Sequence, residues 1–116
     1  IMTIKHTKAR TGDNYLTFVS WYDEIGRTIE NVEDVRFTLF AYDGINKVTI
    51  QDNVLMNVSD LNHRYLASIA IPQGYEGKIL YIDFKCTYQA DGSVLRAEEI
   101  ILIEKPLNEQ ILKVSF

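Results

Sequence analysis

Residues 78–104 read KILYIDFKCTY, then QADGS, then VLRAEEIILIE. In the first run Leu80, Ile82, Phe84, Cys86 and Tyr88 fall on one side and Ile79, Tyr81, Asp83, Lys85 and Thr87 on the other. That period of two is the signature of a strand with one face toward a core. Asp91-Gly92 then supplies the positive φ that a tight reversal needs. In the returning run Leu95, Ala97, Glu99, Ile101 and Ile103 alternate with Val94, Arg96, Glu98, Ile100 and Leu102. Two long strands joined by a short turn form an antiparallel hairpin, and this hairpin sets the fold class.

The same alternation extends outward from the hairpin. Tyr15, Thr17, Val19 and Trp21 share one face, with Leu16, Phe18 and Ser20 opposite. Val35, Phe37, Leu39 and Ala41 alternate with Arg36, Thr38, Phe40 and Tyr42, a set that mixes charge and aromatic rings and predicts a partly solvated face. Tyr65 to Ile71 is apolar enough on both sides for a central strand. Shorter strands are expected over Thr3 to Ala9, Val48 to Ile50 and Val54 to Val58. Turn residues at 11–14, 43–46 and 72–77 punctuate these runs at sandwich spacing. Residues 58–64 admit at most one short helical turn, with Ser59 or Asp60 as its cap. No segment of about ten residues carries a helical period, which argues against parallel βαβ architecture. The expectation is an all-β antiparallel sandwich of about seven to eight strands, in a single domain spanning 1–116.

Composition narrows the function classes. Apolar residues are 47% and charged residues 24% of the 116-residue chain, an ordinary globular balance. The net charge of −4 and the lack of a dense Lys/Arg run argue against phosphate neutralisation, and hence against nucleic-acid binding. Lys5 to Arg10 reads as a solvated basic edge. No apolar run approaches the roughly 18 residues of a membrane span, and no signal peptide is visible. The opening Ile1-Met2 suggests a chain that lacks its first residue or is cut from something longer. The lone Cys86 excludes an intrachain disulfide and reads as a small buried hydrophobe.

Catalytic patterns are not recognisable. His6, in an edge strand, and His63, in a polar loop, are placed to be solvated histidines rather than bases. Two histidines and one cysteine cannot furnish a four-ligand zinc site. Glu98 and Glu99 face opposite sides of their strand, so they cannot share one site as an acid–base pair. Glu99 falls on the core side, a conflict that a bulge or a reversed face would resolve. The expectation is a rim carboxylate paired with Arg96 or Lys85. Asp43-Gly44-Ile45-Asn46 lacks the oxygen ladder of a calcium loop and reads as a turn. No catalytic residue, cofactor or metal ligand is assigned.

Pro72, Gly74, Tyr75 and Gly77 lead into the long strand Leu80 to Tyr88, the Asp91-Gly92 turn and the strand Val94 to Ile103. This ending resembles that of immunoglobulin-like and fibronectin type III-like modules, although paired cysteines are lacking and Trp21 sits on an early strand. Small, acidic, cysteine-poor sandwiches are similar to modules of tailed-phage virions (capsid decoration, neck, tail or fibre attachment) and of bacterial surface proteins. The resemblance implies a non-enzymatic structural or interaction module that binds protein partners in a homo- or hetero-oligomeric assembly through sheet edges and loops. It would reside in a virion, or otherwise in the cytoplasm or at a cell surface. Thr3, Lys5, Thr7, Lys113, Val114 and Phe116 are the candidate contact residues, with the strand at 107–116 as an assembly or inter-domain contact. The alternative is a carbohydrate-binding or adhesive module that stacks a glycan on Trp21, Tyr22 and Tyr42.

Overall fold

The computed structural model describes residues 4–59 and 63–104. Eight strands run in chain order: β1 (Ile4–Arg10), β2 (Asn14–Val19), β3 (Val32–Asp43), β4 (Asn46–Leu55), β5 (Asn57–Ser59), β6 (Arg64–Ala70), β7 (Ile79–Tyr88) and β8 (Val94–Glu104). They form a five-stranded sheet ordered β1-β8-β7-β3-β4 and a three-stranded sheet ordered β2-β6-β5. No helix occurs among the described residues. The fold is therefore all-β and sandwich-like, as the alternation predicts.

The β7–β8 hairpin pairs from Thr87↔Val94 to Ile79↔Leu102 without a register break. Its turn is closed by backbone bonds from Tyr88 N to Ser93 O and from Gly92 N to Tyr88 O, each 2.8 Å. Gly92 takes φ 74°, and Asp91 Oδ1 accepts from Ser93 N (2.9 Å) and Ser93 Oγ (2.6 Å). A residue with Cβ is disfavoured at that φ, so the glycine is what lets the two strands meet in register. Leu80, Ile82, Phe84 and Cys86 enter the core from β7, and Ala97, Ile101 and Ile103 from β8. Val35, Phe37, Leu39 and Ala41 from β3, Val19 and Ile69 from the facing sheet, and Trp21, two residues past the end of β2, pack with them.

The chain departs from the expectation in three places. β1 runs parallel to β8, from Ile4↔Glu98 to Arg10↔Glu104, whereas every other described pairing is antiparallel. Strands from opposite parts of the chain need no tight turn between them, so nothing local imposes the antiparallel sense. The two short strands expected over Val48 to Ile50 and Val54 to Val58 are one long edge strand, β4, followed by the three-residue β5. Asp52-Asn53 reads as a break because of its polarity, but β4 lies at an edge where such residues meet water. Irregular register against β3 absorbs the positive φ of Asn53 (50°). Of residues 58–64, Val58 and Ser59 belong to β5 and Arg64 opens β6, and residues 60–62 lie outside the described residues.

Glu99 corrects the third expectation. Neither a bulge nor a reversed face removes it from the core: β8 is regular there, and Glu99 is fully buried. Its Oε2 accepts from Thr7 Oγ1 (3.1 Å) and from the Tyr15 hydroxyl, and its Oε1 accepts from Thr17 Oγ1 (2.5 Å). Thr7 belongs to β1, while Tyr15 and Thr17 belong to β2 in the opposite sheet. The carboxylate is thus held between the sheets rather than at the rim beside Arg96 or Lys85.

Two outcomes follow from this packing. Ile82→Ala, at a site with no solvent exposure, is expected to cost about 2–5 kcal/mol in urea denaturation. The Cys86 thiol, pushed up to about 11 by burial, should resist a thiol reagent in the native state and react once denaturant is added. Prompt stoichiometric labelling of the native protein would place the thiol outside the core.

Candidate functional site

Of the contact residues that the sequence singles out, Thr3, Lys113, Val114 and Phe116 lie outside the described residues. Lys5 stands in β1 in register with Glu99. Thr7 is half-buried and spends its hydroxyl on the Glu99 carboxylate. β1 does form one edge of the large sheet, where Lys8 and Arg10 meet Glu104 at 3.6 and 3.7 Å.

The three rings of the glycan alternative are not gathered into one platform. Trp21 is buried, and its Nε1 has no hydrogen-bond partner among the described residues. Tyr22 is exposed beside it, and both line a cavity of about 380 Å³ with Ile29, Tyr88, Leu95 and Arg96. Tyr42 lies in a different depression, with Ile79 and Tyr81. Tyr88 and Ile79 are the opposite ends of β7, so a strand's length separates Tyr42 from Trp21.

What the structure does assemble is the outer face of the five-stranded sheet. Phe40 of β3 is in register with Tyr81 of β7, and Tyr81 with Ile100 of β8. The next row holds Ile79 opposite Leu102, with Tyr42 beside Ile79. Phe40 stacks on Tyr81 (centroids 5.4 Å apart, planes at 15°), and Tyr42 meets both rings edge-on at 5.7 and 5.3 Å. Lys47 Nζ sits 4.0 Å above the Phe40 ring. These contacts bury Phe40, which the alternation had placed on a partly solvated face. Tyr81 and Ile100 are half-buried, while Tyr42 is 50% exposed, Ile79 40% and Leu102 45%.

Charge borders the patch in ordered rows. Asp83 and Glu98 stand directly opposite one another across β7 and β8. The following row aligns Arg36, Lys85 and Arg96 across three strands. Arg36 Nε also donates to Asp34 Oδ1 at 2.7 Å. The Glu98 carboxyl is held above its usual range by desolvation first, and then by the charge of Asp83 and a hydrogen bond with it. Asp83 and Glu98 lie 15 positions apart in sequence, and only the hairpin register brings them together. Counting back from the Asp91-Gly92 turn would have found this pair.

Elsewhere the ionisable groups serve local structure. Asp23 accepts from Ile25 N, Arg27 N and Arg27 Nε at 3.1, 2.9 and 3.0 Å, which draws its carboxyl down, chiefly through the Arg27 amide. His63 Nε2 is 3.2 Å from Glu30 Oε1 on the surface. No group of three or more His, Cys, Asp or Glu residues that could hold a metal ion occurs among the described residues.

The Tyr15 hydroxyl is pushed up to about 12, first by burial and then by its hydrogen bond to Glu99. The folded protein therefore holds this proton more tightly than the unfolded chain does. Its contribution to stability is full below pH 10.0 and is lost as pH climbs toward about 12. Urea midpoints of wild type and Tyr15→Phe should converge across that window, and a constant difference would contradict the burial. Glu98 follows the same sign at lower pH: its raised pKa favours the folded state in acid, and that gain fades as pH rises through it. Asp83→Asn is expected to add about 0.2–1 kcal/mol at neutral pH by removing a directly opposed like-charge pair.

No family model matches this chain, and no curated protein matches it.

Proposed function

We propose that this domain is a non-enzymatic interaction module whose contact surface is the outer face of the five-stranded sheet. The observation that carries the reading is the two-row patch of Phe40, Tyr81 and Ile100 beside Tyr42, Ile79 and Leu102. A sheet face that only meets water favours polar side chains, because exposed aliphatics and rings gain nothing there. Aromatic and aliphatic residues rimmed by charge are instead the composition of a protein-binding surface. The flanking rows of like charge supply orientation, since a partner must match an acidic row beside a basic one.

The strand order supports an immunoglobulin-like topology over a fibronectin type III-like one. The sheet β8-β7-β3-β4 facing β2-β6-β5 corresponds to an immunoglobulin sandwich with one extra strand beside its third, and β1 then borders the last strand. Size, acidity and cysteine poverty suit the virion setting that the sequence resembles, and in that setting the partner is another subunit of the particle. Tyr42 and Tyr81 also present ring faces and edges to solvent, which keeps a glycan as the competing ligand.

The test is light-scattering mass of the 13.4 kDa chain, alone and with particles from its source. A mass above the monomer, or co-elution with the particle, is expected for wild type. Replacing Ile79 and Leu102 together by Asp should weaken that association at least about tenfold, equivalent to about 1.4 kcal/mol, while leaving the core untouched. A monomer at all concentrations that joins no particle would overturn the proposal. Sugar-dependent NMR shifts at Tyr42 and Tyr81 in that case would favour the glycan reading.

A further inference from the structure

The β3–β4 hairpin ends in a feature that the fold does not require. Asp43 pairs with Asn46, so Gly44 and Ile45 form a two-residue turn. The positive φ of that turn falls on Gly44 (63°), and the geometry asks for nothing apolar at position 45. Gly, Asn, Asp and Ser are the usual occupants of such turns. Ile45 is nonetheless 95% exposed, more than any other large hydrophobic among the described residues. It does not stand alone, as scattered surface apolar residues do. Tyr42 on one arm and Val48, 41% exposed, on the other flank it. An isoleucine so placed gains in proportion to the area that a partner removes from water.

Next to this knob lies a hollow. Phe40 is in register with Tyr81, and Tyr42 stands beside Ile79, so the hairpin tip and the start of β7 share one end of the sheet. There Tyr42, Lys78, Ile79 and Tyr81 line a depression of about 270 Å³. That is below the usual size of a small-molecule pocket, but ample for one branched aliphatic side chain. Charge is divided in the same way. Exposed Asp43 adjoins the knob, and exposed Lys78 lines the hollow. Neither side chain forms an ion pair or a hydrogen bond among the described residues.

We infer that the occupant of the hollow is Ile45 of a second copy of this chain. This rests on the contact face proposed above and names its partner. Ile45 does not fill its own hollow, since it stands almost wholly in solvent. A two-fold axis placed between knob and hollow exchanges them, so each copy gives one knob and receives one. The same operation brings Asp43 of each copy toward Lys78 of the other, and the two opposite-charge contacts set the register of the pair. Tyr42 and Ile79 belong both to the hollow and to the exposed patch, so seating the knob also covers part of that patch. A knob, a hollow and an unpaired charge beside each make the surface complementary to itself, which a surface shaped for an unrelated partner need not be.

The experiment is sedimentation equilibrium of the full chain over a range of concentrations. Wild type is expected to reach twice its 13.4 kDa. Ile45→Asn puts a turn-forming residue at an exposed position and should keep the wild-type urea midpoint. It should weaken the dimer at least about tenfold, because symmetry counts the change twice. Asp43→Lys and Lys78→Asp should each weaken the dimer by bringing like charges together. Mixed in equal amounts, these two variants should recover a dimer of near wild-type strength, since every contact across the mixed pair again joins opposite charges. A dimer unchanged by Ile45→Asn, or no recovery on mixing, would overturn the inference. So would a wild type that stays monomeric. If that monomer still joins particles and loses them on replacement of Ile79 and Leu102, the contact face stands and only its self-pairing fails.

Discussion

A carboxylate sealed between two sheets is the constraint on which this sandwich depends. Removing Glu99 from water is costly unless its oxygens are met by donors, and hydrogen bonds to a charged group contribute about 1.5–3 kcal/mol each. The donors come from β1 on one side and β2 on the other. β1 can run parallel to β8 and still contribute, because its Thr7 lies close to the carboxylate in that register. β2 turns Tyr15 and Thr17 inward, where both hydroxyls donate to Glu99. The polar cluster thereby fixes the register of one strand and the facing of another.

That facing has consequences on the outside. A strand has a period of two, so directing Tyr15, Thr17 and Val19 inward leaves Leu16 and Phe18 on the outer face. The larger sheet shows the same inversion at one end, where Phe40, Tyr81 and Ile100 share an outer row while the inner positions are already filled by Leu39, Ala41, Leu80, Ile82 and Ile101. The chain thus carries more apolar surface than one core can take up. The excess is concentrated on a sheet face and a sheet edge, which is where strands and subunits associate.

Much of the architecture was legible from alternation, because each strand with one buried face writes its own pattern. The β7–β8 hairpin, the inward set of β3 and the central position of β6 all follow from it. β4 was not, since an edge strand with little burial has no apolar period to read, and Asp52-Asn53 resembles a break. Glu99 shows the limit most clearly. Alternation placed it inside, chemistry argued for the rim, and alternation was right. The donors Thr7, Tyr15 and Thr17 are 82 to 92 residues away in sequence, on strands whose register no local signal specifies. The aromatic patch was half visible: Phe40 and Tyr42 stood out, but their neighbours Tyr81, Ile79 and Leu102 became theirs only through pairing.

The most direct measurement is a double-mutant cycle between the sheets, with Thr17→Val in β2, Glu99→Gln in β8 and the pair together, each followed by urea denaturation. If the carboxylate joins the two sheets, the double mutant should depart from additivity by about 1 kcal/mol or more. Additivity within about 0.3–0.5 kcal/mol would mean that Thr17 and Glu99 are buried side by side without holding each other, and would contradict the role assigned to that contact.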